Sequence, residues 1–426
     1  MKILLKDIKY LDFKSTNMIE ASIGIENGRI SFIGDIPSDF IYDEIIYGNR
    51  KVAMPGIFNA HTHIPMTLLR NYSDDQNLWS WLNDYIWPME KKLKADDIYW
   101  GAMLGLAELI KFGTTCFVDM YFYIDKIGEA LYESGMRGFI SRGLIGNEDS
   151  DYKQLQETED FLKKWDGEAN GRIRGMVGPH APYTCSSEYL LKAIELSEKY
   201  DTSIHIHLSE SINEVEESIR KYGLTPTENM ERIGLFKRNT LAAHCVQLTD
   251  RDIEILSENN VNILYNPISN MKLGNGFARI KDIKRSGINI ALGTDGCASN
   301  NNMSLLEEIK ILALINKGLE ADPTIIPAIE ALQIASANGI KAVGLEDELG
   351  SIEIGKKADL TILDLNKIQT TPINNEISSL VYSLQSDNIY STIVDGKILM
   401  KNFEYYTLDI EKIMYNINRI SERLSL

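Results

Sequence analysis

Apolar and polar positions alternate through residues 1–51, as in Ala21-Ser22-Ile23-Gly24-Ile25-Glu26, and Asn27-Gly28 follows as a two-residue hairpin signal. The same texture returns near the other end, in Leu360-Thr361-Ile362-Leu363 and in Ile393-Val394-Asp395-Gly396-Lys397-Ile398. Either set of strands alone is too small for a stable sheet. The two ends are therefore expected to meet in one composite β-sandwich domain, residues 1–53 and 346–426, closing with a helix from about Leu408 onward.

Residues 54–345 read differently. Short apolar runs at 52–59, 114–119, 137–145, 173–178, 203–208, 239–243, 262–266 and 288–293 are each followed by a longer helical pattern. Continuous apolar strands alternating with helices predict a parallel sheet buried on both faces. Eight such units fit an α/β fold with a closed (β/α)8 TIM-type barrel better than an open doubly wound sheet. The Gly-x-Gly-x-x-Gly fingerprint of the open alternative is missing.

Composition narrows the function. Lys and Arg total 44 against 61 Asp and Glu, a net charge of −17, which excludes a nucleic-acid binder that must neutralise phosphates. No apolar run approaches the roughly 20 residues of a membrane span, and the N-terminus breaks into charge too early for a signal peptide. Four scattered cysteines, Cys116, Cys185, Cys245 and Cys297, form no Cys-x-x-Cys pair and read as packing residues in a cytoplasmic protein. Oligomeric state leaves no mark, and a homo-oligomer is allowed.

The six histidines, His61, His63, His180, His205, His207 and His244, all fall at or near the C-terminal ends of expected strands, as does Asp295. In a barrel those ends converge on the face where active sites are built. His61 and His63 share one side of an extended strand, and His207 on another strand adds a third imidazole. His205, one layer deeper, reads as a hydrogen-bonded core histidine. Three nitrogens and the Asp295 carboxylate leave room for a water, as catalytic metal sites do. Glu210 could shuttle protons beside the metal or simply cap the next helix. His244 could orient a water or stabilise an oxyanion, and His180 reads as a substrate contact. The segment Leu78-Trp79-Ser80-Trp81-Leu82 to Trp87-Pro88 is expected over the mouth, with Trp79 or Trp81 free to stack on a substrate.

In order along the chain these residues resemble the amidohydrolase superfamily. The first-strand signature is Met54-Pro55-Gly56-Ile57-Phe58-Asn59-Ala60-His61-Thr62-His63, and Gly350-Ser351-Ile352-Glu353-Ile354-Gly355-Lys356-Lys357-Ala358-Asp359 looks like its return to the β-domain. Asn266-Pro267-Ile268-Ser269-Asn270-Met271-Lys272-Leu273-Gly274 and Gly293-Thr294-Asp295-Gly296-Cys297-Ala298-Ser299-Asn300 are similar to the branch that deaminates 5-methylthioadenosine and S-adenosylhomocysteine. The resemblance implies one divalent metal, zinc before iron, manganese or nickel, on His61, His63, His207 and Asp295. It implies one metal because the fourth strand lacks the lysine of binuclear relatives.

It further implies catalytic roles for Glu210, His244 and Asp295. Glu90 would hold ribose hydroxyls, Arg142 an amino-acid carboxylate, and His180, Glu210, Ser299 and Trp81 the rest of a small purine nucleoside. A second arginine of that pattern is absent, with Lys153 nearby, which favours methylthioadenosine or adenosine. The competing enzyme readings are a guanine deaminase or a triazine amino- or chlorohydrolase. A non-catalytic barrel is disfavoured by the intact ligand set.

Overall fold

A computed structural model describes residues 1–425. Eight parallel strands, Ile57–Thr62, Thr114–Tyr121, Arg137–Leu144, Ile173–Pro179, Ile204–Leu208, Thr240–His244, Asn262–Tyr265 and Ile290–Leu292, form one sheet in sequence order. They are the first to eighth barrel strands below. The first and eighth meet across a seam: Asn59 Nδ2 donates to Thr294 Oγ1 (2.8 Å), Thr294 N to Asn59 Oδ1 (3.0 Å) and Asp295 N to the His61 carbonyl (2.9 Å). Gly293 is required at this seam, since a Cβ there would lie 2.3 Å from Asn266 Oδ1 and 2.8 Å from His61 N.

The barrel is filled rather than hollow. Phe58, Val118, Phe139, Met176, Leu241 and Leu264 pack in one buried cluster, continued by Ile340 and Leu349 from the segment that follows the last strand. Strand residues of the other parity, such as Ile204, Ile206 and Leu208, join the core shared with the surrounding helices. Helix ends follow from local sequence: Ser211 caps Ile212–Tyr222 by accepting from Glu214 N, and Gly223 closes that helix in the left-handed region.

The two ends of the chain build one continuous nine-stranded sheet. Its order runs Glu404–Tyr405, Lys397–Lys401, Ile389–Val394, Leu360–Asp364, Lys51–Pro55, Ile3–Asp12, Asn17–Glu26 and Arg29–Gly34, with Glu44–Tyr47 also on Ile3–Asp12. The sheet curls around its own apolar cluster, Ile3, Leu5, Ile23, Ile25, Leu360 and Ile393 among it, and a bridge between Arg29 and Lys357 ties its Arg29–Gly34 edge to the chain just before Leu360–Asp364. Both hairpin signals form turns with positive φ at both central residues, Asn27-Gly28 and Asp395-Gly396.

One expected strand is two. The apolar run 52–59 splits at Gly56: Lys51–Pro55 pairs with Leu360–Asp364 in the terminal sheet, and Ile57–Thr62 opens the barrel. Both pieces are buried and apolar, so hydrophobic patterning does not register the change of sheet. The closing helix is Ile410–Leu424, which lies on helix Ala95–Lys111 and is tied to it by Arg423 and Asp97 (2.5 Å).

Candidate active site

Each strand end supplies its side chain through a fixed local hydrogen bond. His63 Nδ1 lies 2.5 Å from the Met120 carbonyl and His207 Nδ1 2.6 Å from the His180 carbonyl. A carbonyl only accepts, so both rings carry a proton on Nδ1 and turn Nε2 inward. The third ring is set by a relay. Ser141 Oγ donates to the Asp119 carbonyl (2.9 Å), His205 Nδ1 faces Ser141 Oγ (3.3 Å), and His205 Nε2 faces His61 Nδ1 (2.8 Å). His61 is then left with a bare Nε2, fully buried and without a hydrogen-bond partner.

These inward nitrogens converge. His63 Nε2 lies 3.3 Å from His207 Nε2 and 3.2 Å from Asp295 Oδ1, and His61 Nε2 is 3.6 Å from the same oxygen. Ligand atoms of His61, His63 and Asp295 lie within 4.8 Å of one another, as do those of His61, His207 and His244. Lone pairs crowded this way need positive charge among them. Burial works against protonation of His63, yet the Asp295 carboxylate raises its pKa to about 9, while burial and the other imidazoles hold His61 well below the ordinary range. The orphaned His61 nitrogen and a nitrogen-and-carboxylate donor set held from behind fit a divalent cation. Asp295 is itself fixed, its Oδ2 accepting from Ser269 (2.6 Å) and Ser299 (2.8 Å).

Two buried titratable groups flank this cluster. Glu210 Oε2 lies 3.7 Å from His244 Nε2, and burial, then Asp295 and Glu214, push the Glu210 carboxyl well above its usual range. Helix capping is done by others: Glu214 accepts from Ser209 N (3.0 Å) and Glu210 N (2.9 Å), which leaves the Glu210 side chain to the site. His244 and Asp295 both hold left-handed backbone at their strand ends (φ 72° and 63°), a conformation kept at functional sites at some cost in strain.

The cavity above runs from His63, His180, His207 and Asp295 to Trp81 and Glu90. Its outer chamber, about 400 Å³, is lined by Glu90, Trp87, Phe122, Arg142 and Lys153 among others. Trp81 is in the wall, whereas Trp79 lies tilted against Tyr183, with ring centroids 5.0 Å apart. Burial raises Glu90 to about 7, opposed by the facing Tyr121 hydroxyl. Ser299, expected at the substrate, is instead buried against Asp295 and absent from the wall. Sequence reasoning missed Tyr121 and Phe122, whose only signal is their place at the end of the second strand. All four cysteines are buried and free, and burial pushes each thiol up.

Residues 52–399 match the amidohydrolase family, and the chain belongs to it. It is 47% identical, over 100% of its length and 99% of the relative's, to a 5-methylthioadenosine/S-adenosylhomocysteine deaminase of Thermoanaerobacter pseudethanolicus. It is 42% identical to the protein of that name from Acetivibrio thermocellus, with 100% of both chains covered. Among solved structures, an adenosine deaminase from Xanthomonas campestris with bound zinc superposes with a TM-score of 0.94 at 30% identity, covering 99% of this chain and 98% of that one. Among the described residues, no helix is long and apolar enough to cross a membrane.

Proposed function

We propose that the protein is a cytoplasmic, metal-dependent deaminase that hydrolyses the 6-amino group of an adenine nucleoside, with 5-methylthioadenosine, adenosine and S-adenosylhomocysteine as the substrate class. The observation that carries it is a buried acid, Glu210, beside His244 and the converged imidazoles at the barrel mouth. The names of relatives at 42–47% identity support the same class and disfavour guanine and triazine chemistry.

His61, His63, His207 and Asp295 would hold one divalent ion, zinc suiting the donor set as would iron, manganese or nickel. When bound, such an ion lowers the pKa of a water and supplies a nucleophile at neutral pH. The chain's own groups do the rest. Asp295 accepts a proton as water adds at C6, and Glu210 gives its proton to the ring nitrogen N1. The N–H of His244 stabilises the adduct's oxygen; the proton taken up by Asp295 passes to the amine, ammonia leaves, and the adduct's hydroxyl proton returns to Glu210 as the carbonyl forms. Glu90 accepts from the ribose hydroxyls, while Trp81 and His180 flank the base.

Arg142 donates from Nε to Glu157 Oε2 at 3.1 Å and from Nη1 to its neighbour's carbonyl, that of Gly143. With its guanidinium so engaged, uncharged 5′ substituents are favoured over the zwitterionic tail of S-adenosylhomocysteine. The test is ammonia release by purified, metal-analysed protein on adenosine, methylthioadenosine, S-adenosylhomocysteine, guanine and melamine. Release from melamine or guanine alone would overturn the assignment.

A further inference from the structure

The segment after the seventh barrel strand, residues 266–275, supplies none of the proposed ligands, yet three of its side chains reach the three proton-handling groups. Ser269 Oγ donates to Asp295 Oδ2 at 2.6 Å, Asn275 Nδ2 donates to Glu210 Oε1 at 2.9 Å, and Asn270 Nδ2 lies 2.8 Å from His244 Nδ1. Asn266 adds a second amide on the same nitrogen: its Nδ2 donates to the Leu264 carbonyl (3.2 Å) and lies 3.5 Å from His244 Nδ1. That carbonyl fixes which end of Asn266 is the NH2, because a carbonyl oxygen can only accept. An Asn270 turned the other way would need a proton on His244 Nδ1, and that proton would face the Asn266 NH2. Only a bare Nδ1 accepts from both NH2 groups.

We infer that Asn270 is a positioning residue that holds His244 as the neutral tautomer protonated on Nε2, which makes His244 a hydrogen-bond donor to the reacting atoms and bars it from the metal. Crowding alone leaves this open, because His244 lies in the same knot of nitrogens as His61 and His207. The tautomer decides it: an Nε2 that carries a proton has no lone pair for an ion. The same Nε2 lies 3.7 Å from Glu210 Oε2, the oxygen that Asn275 leaves unclaimed. One short segment therefore aims the donor and the acid at each other.

The inference rests on the deaminase reading for its consequence but not for its test. In zinc-loaded protein labelled with 15N at histidine, two-bond 1H–15N spectra should show His244 with Nδ1 bare and Nε2 protonated, free of any metal-bound signature. A protonated Nδ1, or zinc on Nε2, would overturn it. Asn270→Asp, which only accepts when ionised, should reverse the pattern; an unchanged pattern would also overturn it. Asn270→Asp and Asn270→Ala should lower kcat by about ten- to a hundredfold, as loss of such supporting contacts does. KM should stay within about threefold, because the lost interaction belongs to the transition state. Asn270→Ser, which keeps a donor, should recover part of kcat, and no recovery counts against the inference. If the wild-type nitrogen pattern is as expected but no aminopurine releases ammonia, the tautomer stands and the deaminase reading falls.

Discussion

His63 and His207 bring their Nε2 atoms to 3.3 Å of each other while the Nδ1 of each is tied to a main-chain carbonyl. Neither ring can turn away without losing that bond, so the repulsion is relieved only by positive charge between them. Stripping metal with a chelator should lower the melting temperature by several degrees, and stoichiometric zinc should restore it, since a ligand that binds only the folded state stabilises it. His207→Ala should lose stoichiometric metal and about a thousandfold in turnover, equivalent to roughly 4 kcal/mol of barrier. Full metal content in that variant would remove His207 from the ligand set.

Glu210 lies beside the proposed ligand set but outside it. Glu210→Gln keeps the side chain's shape and its place beside Asn275, but has no proton to give. Metal content measured by elemental analysis should stay at the wild-type level, while ammonia release falls by about 10²- to 10⁴-fold, the range for general acid–base groups. Near-normal turnover would assign the proton transfer elsewhere.

Glu90 gives the pH dependence its sign. Burial raises its pKa from 4.5 to about 7, with the Tyr121 hydroxyl opposing, so below pH 7 the carboxyl is mostly protonated and a poorer acceptor for ribose hydroxyls. KM for the nucleoside should therefore fall as pH rises through 7, and Glu90→Gln should flatten that dependence. Linkage runs the other way for stability. The folded protein binds the Glu90 proton more tightly than the unfolded chain does, so this contribution is present below pH 4.5 and is lost as pH rises through 7. Thermal denaturation of wild type and Glu90→Gln across that window measures it.

The barrel and the meeting of the histidines at its mouth were legible because their signals are local. All eight strands are short apolar runs, and every histidine lies at or near the end of one. His205 was readable as a buried, hydrogen-bonded core residue from its place two positions below His207, and it indeed meets His61 at 2.8 Å. What failed needed distance in space. The run 52–59 changes sheet at Gly56 without changing polarity. Helical spacing could not say which of Trp79 and Trp81 faces inward. Ser299 lies beside Asp295 in sequence, yet whether its hydroxyl turns to substrate or to that carboxylate is a matter of tertiary packing. Asn275 and Glu210 are 65 residues apart, and no motif joins them.

The pairing of Arg142 with Glu157 bears on substrate choice. Glu157 is half exposed and the pair is partly screened, so the interaction is modest. Glu157→Gln should free the guanidinium for a carboxylate and raise kcat/KM for S-adenosylhomocysteine by a few-fold, in keeping with an exposed pair of up to about 1 kcal/mol. Adenosine, which lacks the tail, should be unaffected. An equal rise for both would show that Glu157 acts on the shared nucleoside part.

Arg137 and Asp359 tie the barrel to the terminal sheet at the end away from the site. Arg137, at the start of the third barrel strand, is 1% exposed and binds Asp359 through Nε at 2.7 Å and Nη2 at 3.2 Å. Asp359 also accepts from Asp395 N at 2.7 Å, in the Asp395-Gly396 turn. Arg137→Met would leave the Asp359 charge buried with a main-chain donor as its remaining partner, and breaking such a pair costs about 3–5 kcal/mol. Denaturant unfolding should show that loss, with turnover of the folded fraction close to wild type, because no site residue touches the pair. Replacing both partners, Arg137→Met with Asp359→Leu, removes the stranded charge and should recover much of the stability. If the double variant is no more stable than the single one, the cost lies in lost packing rather than in an uncompensated carboxylate.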